Sequence, residues 1–245
     1  MRKIHTAILT AVLATTTLGI GSALAADVTV GSDFMSAYVW RGLTFNDEGV
    51  MQPSLDVAHE SGVSINVWGN LDFGDYDGAV DSGKFSEVDL SLGYTVPVEG
   101  FDLALGVINY MFPQAGSDTT TSEAFVSAGI SLTEKLSVGL DVYYDFDQVD
   151  DFYGSANVGY SLPLNDELAL DLGASIGAAG EDFAEAYGGS DGGLYDWNVS
   201  ASTTYTLSEA LELGAMVAYT DSVDSDTLPD QDTDVYAGGS VYYSF

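Results

Sequence analysis

Cysteine is absent from the 245 residues, and cations nearly so: five Lys and Arg stand against 38 Asp and Glu, with two His and a formal net charge of −33. Without cysteine there is no disulfide, no thiolate metal site and no lipid-carrying N-terminal cysteine. With so few cations no basic patch can form, which excludes nucleic acid and anionic lipid headgroups as partners. Beyond residue 25 no apolar run approaches the roughly eighteen residues that a membrane-spanning helix needs. Yet 46% of the chain is apolar, so this is not a disordered acidic tail. An acidic excess is most often a solvated surface, and its functional weight depends on where the carboxylates point.

The two ends of the chain carry strong patterns. Arg2 and Lys3 precede an apolar stretch from about Ala7 to Ile20, followed by Ser22-Ala23-Leu24-Ala25. This is the anatomy of a secretory signal peptide, and the run is too short and too rich in threonine for an anchor. Cleavage is expected after Ala25, leaving residues 26–245 as one domain with three cations: Arg41, Lys84 and Lys135. At the other end, Val235, Ala237, Gly239, Val241, Tyr243 and Phe245 alternate with a mostly polar series, Asp234, Tyr236, Gly238, Ser240, Tyr242 and Ser244. Successive side chains of a strand point to opposite faces, so one face is apolar and the other mostly polar.

Twelve such alternating segments run along the chain, at about 27–43, 50–59, 63–73, 85–96, 101–112, 121–132, 136–147, 151–162, 167–179, 192–206, 210–220 and 232–245. Short connections alternate with mostly longer ones rich in Asp, Gly and Ser, the asymmetry of periplasmic turns and extracellular loops. Only helices and closed barrels satisfy every backbone group in lipid. The expected fold is therefore all-β: a transmembrane antiparallel up-and-down β-barrel of about twelve strands. Aromatic residues orient its faces. Tyr94, Phe101, Tyr160, Tyr205, Tyr243 and Phe245 fall beside the short turns, and Phe73, Tyr144, Phe146, Phe152, Tyr195, Trp197 and Tyr219 beside the long loops. Two such girdles flanking a Leu/Val/Ile/Ala band mark the lipid face. The fifth strand is the least regular: Ile108, Tyr110 and Phe112 turn inward, and a bulge after Val107 would re-aim its end.

The segment Ser36-Ala37-Tyr38-Val39-Trp40-Arg41-Gly42, followed by Gln52-Pro53-Ser54 and Trp68-Gly69-Asn70, resembles the N-terminal signature of the TorF family of proteobacterial outer-membrane porins. The resemblance implies a porin barrel in the outer membrane of a Gram-negative bacterium. It brings neither catalytic residues nor a settled substrate.

With Val28, Val30, Phe34, Tyr38 and Trp40 assigned to lipid, the first strand sends Asp33 and Arg41 into the lumen. Inward acids elsewhere are Asp56, Asp72, Glu87, Asp89, Asp141, Asp145, Asp171, Asp196, Glu212 and Asp234. Carboxylates around a narrow watery bore attract cations, since confined charges are poorly screened. Frequent inward Gly, Ser and Ala leave the bore room, and twelve strands give a restricted pore. The expectation is passive diffusion of small hydrophilic solutes with cation preference; the alternative is a filled structural barrel, or one that binds at the surface through acidic loops. Arg41 is expected to pair with Asp234, Asp47 or Glu48. An enzyme is not expected: His59 is the sole histidine after processing and no G-x-S-x-G occurs. No cofactor and no resident metal are expected, since the acids Asp224, Asp226, Asp230 and Asp232 lack the glycine and terminal glutamate of an EF-hand loop. The partners are outer-membrane lipid and small solutes or cations.

Overall fold

The computed structural model describes residues 26–115 and 119–245; the expected leader lies outside them. Twelve strands close a barrel: β1 (Ala26–Met35), β4 (Val50–His59), β5 (Val63–Asp72), β6 (Phe85–Thr95), β7 (Asp102–Met111), β8 (Thr121–Ser131), β9 (Leu136–Asp145), β10 (Phe152–Pro163), β11 (Leu168–Ala179), β12 (Gly193–Thr206), β13 (Leu211–Ser222) and β14 (Val235–Ser244). Each barrel strand pairs antiparallel with its chain neighbours, and β1 closes the ring by pairing with β14 on one side and β4 on the other. The closed ladder leaves no edge, the condition for strands to stand in lipid.

Alternation sets the faces as expected. Along β9, Leu140, Val142 and Tyr144 are exposed while Ser137, Asp141, Tyr143 and Asp145 are buried inside. Leu172 and Ile176 on β11, Leu213 and Val217 on β13, and Tyr243 on β14 extend the exposed band. An apolar belt around the outside of a barrel with a polar and aromatic inside is the surface of a membrane barrel, the inverse of a soluble one.

Three expectations need correction. The first strand ends at Met35, which pairs with Val50, and not at residue 43. Residues 36–49 fold back as a separate hairpin of β2 (Tyr38–Trp40) and β3 (Leu43–Asn46). Arg41 and Gly42 form its two-residue turn at φ 49° and 79°, the positive values that a tight hairpin demands. Tyr38 and Trp40 therefore lie inside the barrel and not against lipid: Tyr38 is buried, and both rings pack on other lumen rings. Second, Tyr195 does not belong to the outer girdle. The β11–β12 register shifts between Ile176 and Ala178, and that bulge turns both Tyr195 and Asp196 inward, where they are buried. Third, β7 needs no bulge. It pairs with β8 in unbroken register from Asp102 to Tyr110, and Ile108 and Tyr110 are buried inside because the lumen there is itself an apolar core.

Candidate functional site

The lumen has two unlike halves. At the loop end the β2–β3 hairpin enters the bore and meets a short helix, α1 (Glu181–Ala186), carried by the connection between β11 and β12. Phe183 and Ala184 of α1 are buried, as is Leu228 from the connection before β14. Trp40 of the hairpin packs on Phe45, Tyr110, Phe183 and Tyr187 at centroid distances of 5.6–6.2 Å. Phe183 continues the cluster to Tyr153 and Tyr195 of the wall. Such ring pairs stabilise by about 0.5–1.5 kcal/mol each beyond the area they bury.

Arg41 sits at the centre of this plug. Its Nη1 and Nη2 donate to Oε1 and Oε2 of Glu123 on β8, both at 2.7 Å. The Tyr110 hydroxyl donates to the same carboxylate at 2.8 Å. The guanidinium carbon lies 4.1 Å from the Trp40 ring centroid, 4.3 Å from Tyr143 and 4.5 Å from Tyr153. A planar fork matched to a carboxylate and stacked among rings is the arrangement that only arginine supplies. Arg41 was legible as an inward cation, but its expected partners were wrong: Asp47, Glu48 and Asp234 are replaced by Glu123. Glu123 was missed, although it occupies an inward position of β8 with Thr121 and Phe125. Gly42 lets the turn close, since a Cβ there would stand 2.7 Å from Asp196 and 2.8 Å from Leu228. Burial raises the Tyr187 phenol above its ordinary pKa, so that ring is a neutral wall of the plug.

The acids divide accordingly. Around the plug, Asp72, Glu87, Asp145 and Asp196 are buried. Asp72 accepts from Asn46 and Asn70, Glu87 from the Tyr38 hydroxyl at 2.8 Å, Asp145 from Thr121 at 2.6 Å, and Asp196 from the Tyr153 hydroxyl at 2.8 Å. Asp89 lies beside this group with a buried Oδ1 that has no protein partner. Towards the middle, the carboxylate of Asp33 accepts from the Tyr242 hydroxyl, which lies 2.9 Å from both of its oxygens, and Asp141 accepts from Asn157 at 2.8 Å. At the turn end, Asp56 accepts from Asn66, and Glu212 accepts from Thr206 at 3.5 Å. Asp171 lines a cavity of about 60 Å³ with Asn157, Ser161, Ser175, Asn198 and Ser200. Asp234 is the exception: it is exposed, just ahead of β14, and so stands at the rim.

Inward glycines do not all widen the bore, contrary to expectation. A Cβ on Gly31 would strike the Tyr242 ring at 2.1 Å, and one on Gly106 would strike Phe125 at 2.7 Å. These positions make room for lumen side chains. Among the described residues no group of three or more acids or histidines is arranged to hold a metal ion, and Asp232 instead accepts from the Tyr76 hydroxyl.

A twelve-stranded membrane barrel with a hairpin-plugged, carboxylate-lined lumen defines the class of protein. Within it, the chain belongs to the family described as bacterial protein of unknown function (Gcw_chp), whose model matches residues 20–240. No curated protein matches it in sequence. Its fold is similar to that of solved outer-membrane channels. The KdgM porin in complex with disordered oligogalacturonate is 11% identical, with TM-score 0.57 over 89% of this chain and 99% of that one. The NanC porin is 12% identical, with TM-score 0.54 over 89% and 98%. The COG4313 outer membrane channel from Pseudomonas putida F1 is 11% identical, with TM-score 0.57 over 92% and 97%. At these identities the likeness concerns the fold.

Proposed function

We propose that the protein is a porin-like channel in the outer membrane of a Gram-negative bacterium, exported with cleavage after Ala25, that passes small hydrophilic solutes and prefers cations. One observation carries the reading. Below the plug the wall is built of small polar residues and carboxylates, and none of Asp56, Asp141, Asp171 and Glu212 forms an ion pair among the described residues. Such a wall attracts cations into a confined bore. The TorF-like signature and the porin names of the structural neighbours support the same reading.

The β2–β3 hairpin and α1 fill the loop end of the bore, so this reading requires the hairpin or α1 to move when a solute passes. Chemistry on the solute is not part of this reading. His59 Nδ1 lies 2.7 Å from Ser61 Oγ, but it also accepts from the Ser61 N–H in an exposed turn, and among the described residues no third group orients it. The filled plug favours one rival, a non-conducting barrel that acts through its loops. Planar bilayers separate the two. Folded protein is expected to give discrete conductance steps, and a variant with residues 36–49 replaced by a short turn larger ones. Silence in both would refute the channel and favour the rival.

A further inference from the structure

The β2–β3 hairpin is held in the bore by acids of the wall, and only one of its contacts neutralises charge. Arg41 pairs with Glu123, whereas Tyr38 donates to Glu87 at 2.8 Å and Asn46 to Asp72 at 2.7 Å. Under the hairpin Glu87 does not stand alone. Residues two apart on a strand share a face, and Glu87 and Asp89 of β6 hydrogen-bond to each other inside the barrel. A carboxylate has no hydrogen to donate, so that bond exists only while the two acids share a proton. Tyr38, itself buried, roofs the pair: its hydroxyl holds Glu87, and its ring packs 5.6 Å from that of Trp68, which stands opposite Asp89. The other titratable or charged groups facing the pair are Arg41 of the hairpin, Asp72 of β5, Tyr110 of β7, Glu123 of β8 and Tyr187 beyond α1. Arg41 is the only cation among them, and Glu123 already holds it.

We propose that the Glu87–Asp89 pair is a proton-operated latch, which seats the hairpin while the two acids share a proton and releases residues 36–49 from the bore when that proton leaves. Loss of the proton sets two like charges in contact beneath Tyr38. Asp72 adds a third: it is fully buried, and its Oδ2 has no protein partner. Like charges held together out of water repel strongly, and uncompensated buried charge is costly. Water relieves both, and it reaches the pair when the roof lifts. The wall itself cannot yield as readily, because β6 is tied into the closed ladder on both sides. The hairpin is paired only with itself, and Tyr38 and Asn46 hold it through single hydrogen bonds. Proton release and hairpin release are then one linked equilibrium, in which a single proton shifts the ratio of released to seated hairpin by up to about tenfold per pH unit. Acid closes the outer mouth of the barrel, and alkali opens it.

The latch needs no conduction, so its test is separate from that of the channel. Hydrogen exchange of the folded protein in neutral detergent, followed by mass spectrometry at about pH 6 and about pH 9, is read as protection factors, which remove the intrinsic pH dependence of amide exchange. Protection of residues 36–49 is expected to fall at least about tenfold from the lower pH to the higher, while β9 and β10 change less than about twofold. In the double variant Glu87→Gln with Asp89→Asn, the amides keep an acceptor for Tyr38 and a bond to each other without a titrating proton. Its hairpin is expected to stay protected at both pH values. Should the double variant lack heat-modifiable migration, Asp89→Asn alone is expected to shrink the fall to about threefold or less. Protection of the hairpin that is independent of pH in the parent, or an undiminished fall in the substituted protein, would overturn the latch. A fall shared equally by β9 and β10 would assign the effect to the whole barrel and overturn it too.

Discussion

At the residue scale, Arg41 governs the plug. Removing one partner of a buried ion pair leaves the other charge uncompensated, at a cost of about 3–5 kcal/mol. Arg41→Ala is therefore expected to loosen the hairpin, raising open-channel conductance and exposing residues 36–49 to protease while the barrel stays intact. Arg41→Lys should recover only part of the closure, because an ammonium offers neither the two-pronged contact with Glu123 nor the stack between Trp40 and Tyr153. Adding Glu123→Gln to Arg41→Ala should restore closure relative to the single variant, since it removes the stranded charge. Single-channel recordings and limited proteolysis of the three variants check these outcomes. What the sequence showed of this residue was its sign and its inward direction. Its partner lies 82 positions away, across a lumen that the chain enters only because Arg41-Gly42 turns back. Period-two counting carries straight through that turn, since β2 and β3 alternate as a continued strand would.

At the element scale, strands and turns were legible because each alternates cleanly against lipid on one side. Eleven of the twelve barrel strands lie within a few residues of their expected spans, and the first is the exception. The lumen's contents were not legible, because nothing in a period of two says how far apart facing walls stand or which loop fills the gap. One signal was present all the same: Ile108, Tyr110 and Phe112 of the irregular strand are inward apolar residues that a watery bore would not favour. They contact the plug, and they are its counterpart on the wall. The helix α1 was missed because six residues in an acidic, glycine-rich connection carry too little periodicity. Phe183 is its anchor, 1% exposed and 4.9 Å from Tyr187. Phe183→Ala should cost about 3–5 kcal/mol of plug packing. The barrel's own heat-modifiable migration should be unchanged, while conductance rises and α1 becomes cleavable. A fall in barrel stability equal to the plug's would show that the two are one cooperative unit.

At the scale of the whole molecule, the separation of charge decides selectivity. The lone lumen cation among the described residues is neutralised inside the plug, so the field felt by a passing ion comes from carboxylates. Those carboxylates are not equal. Asp141 is 3% exposed and bonded to Asn157, whereas Asp171 lines the turn-end cavity beside Ser161 and Ser200. Charge facing water in a confined bore acts on ions directly, while a buried, hydrogen-bonded charge acts through protein and contributes less to the local potential in the bore. Cation preference is therefore expected at low salt, with Asp171→Asn reducing it more than Asp141→Asn, and the double variant reducing it most. Raising the salt towards 1 M shortens the reach of wall charges to about 3 Å, so the preference should fade in parallel for all of them. Reversal potentials across a salt gradient read each case. Anion preference or none at low salt in the unaltered protein, or a double variant as selective as the parent, would refute the acidic wall of the bore as the source of selectivity.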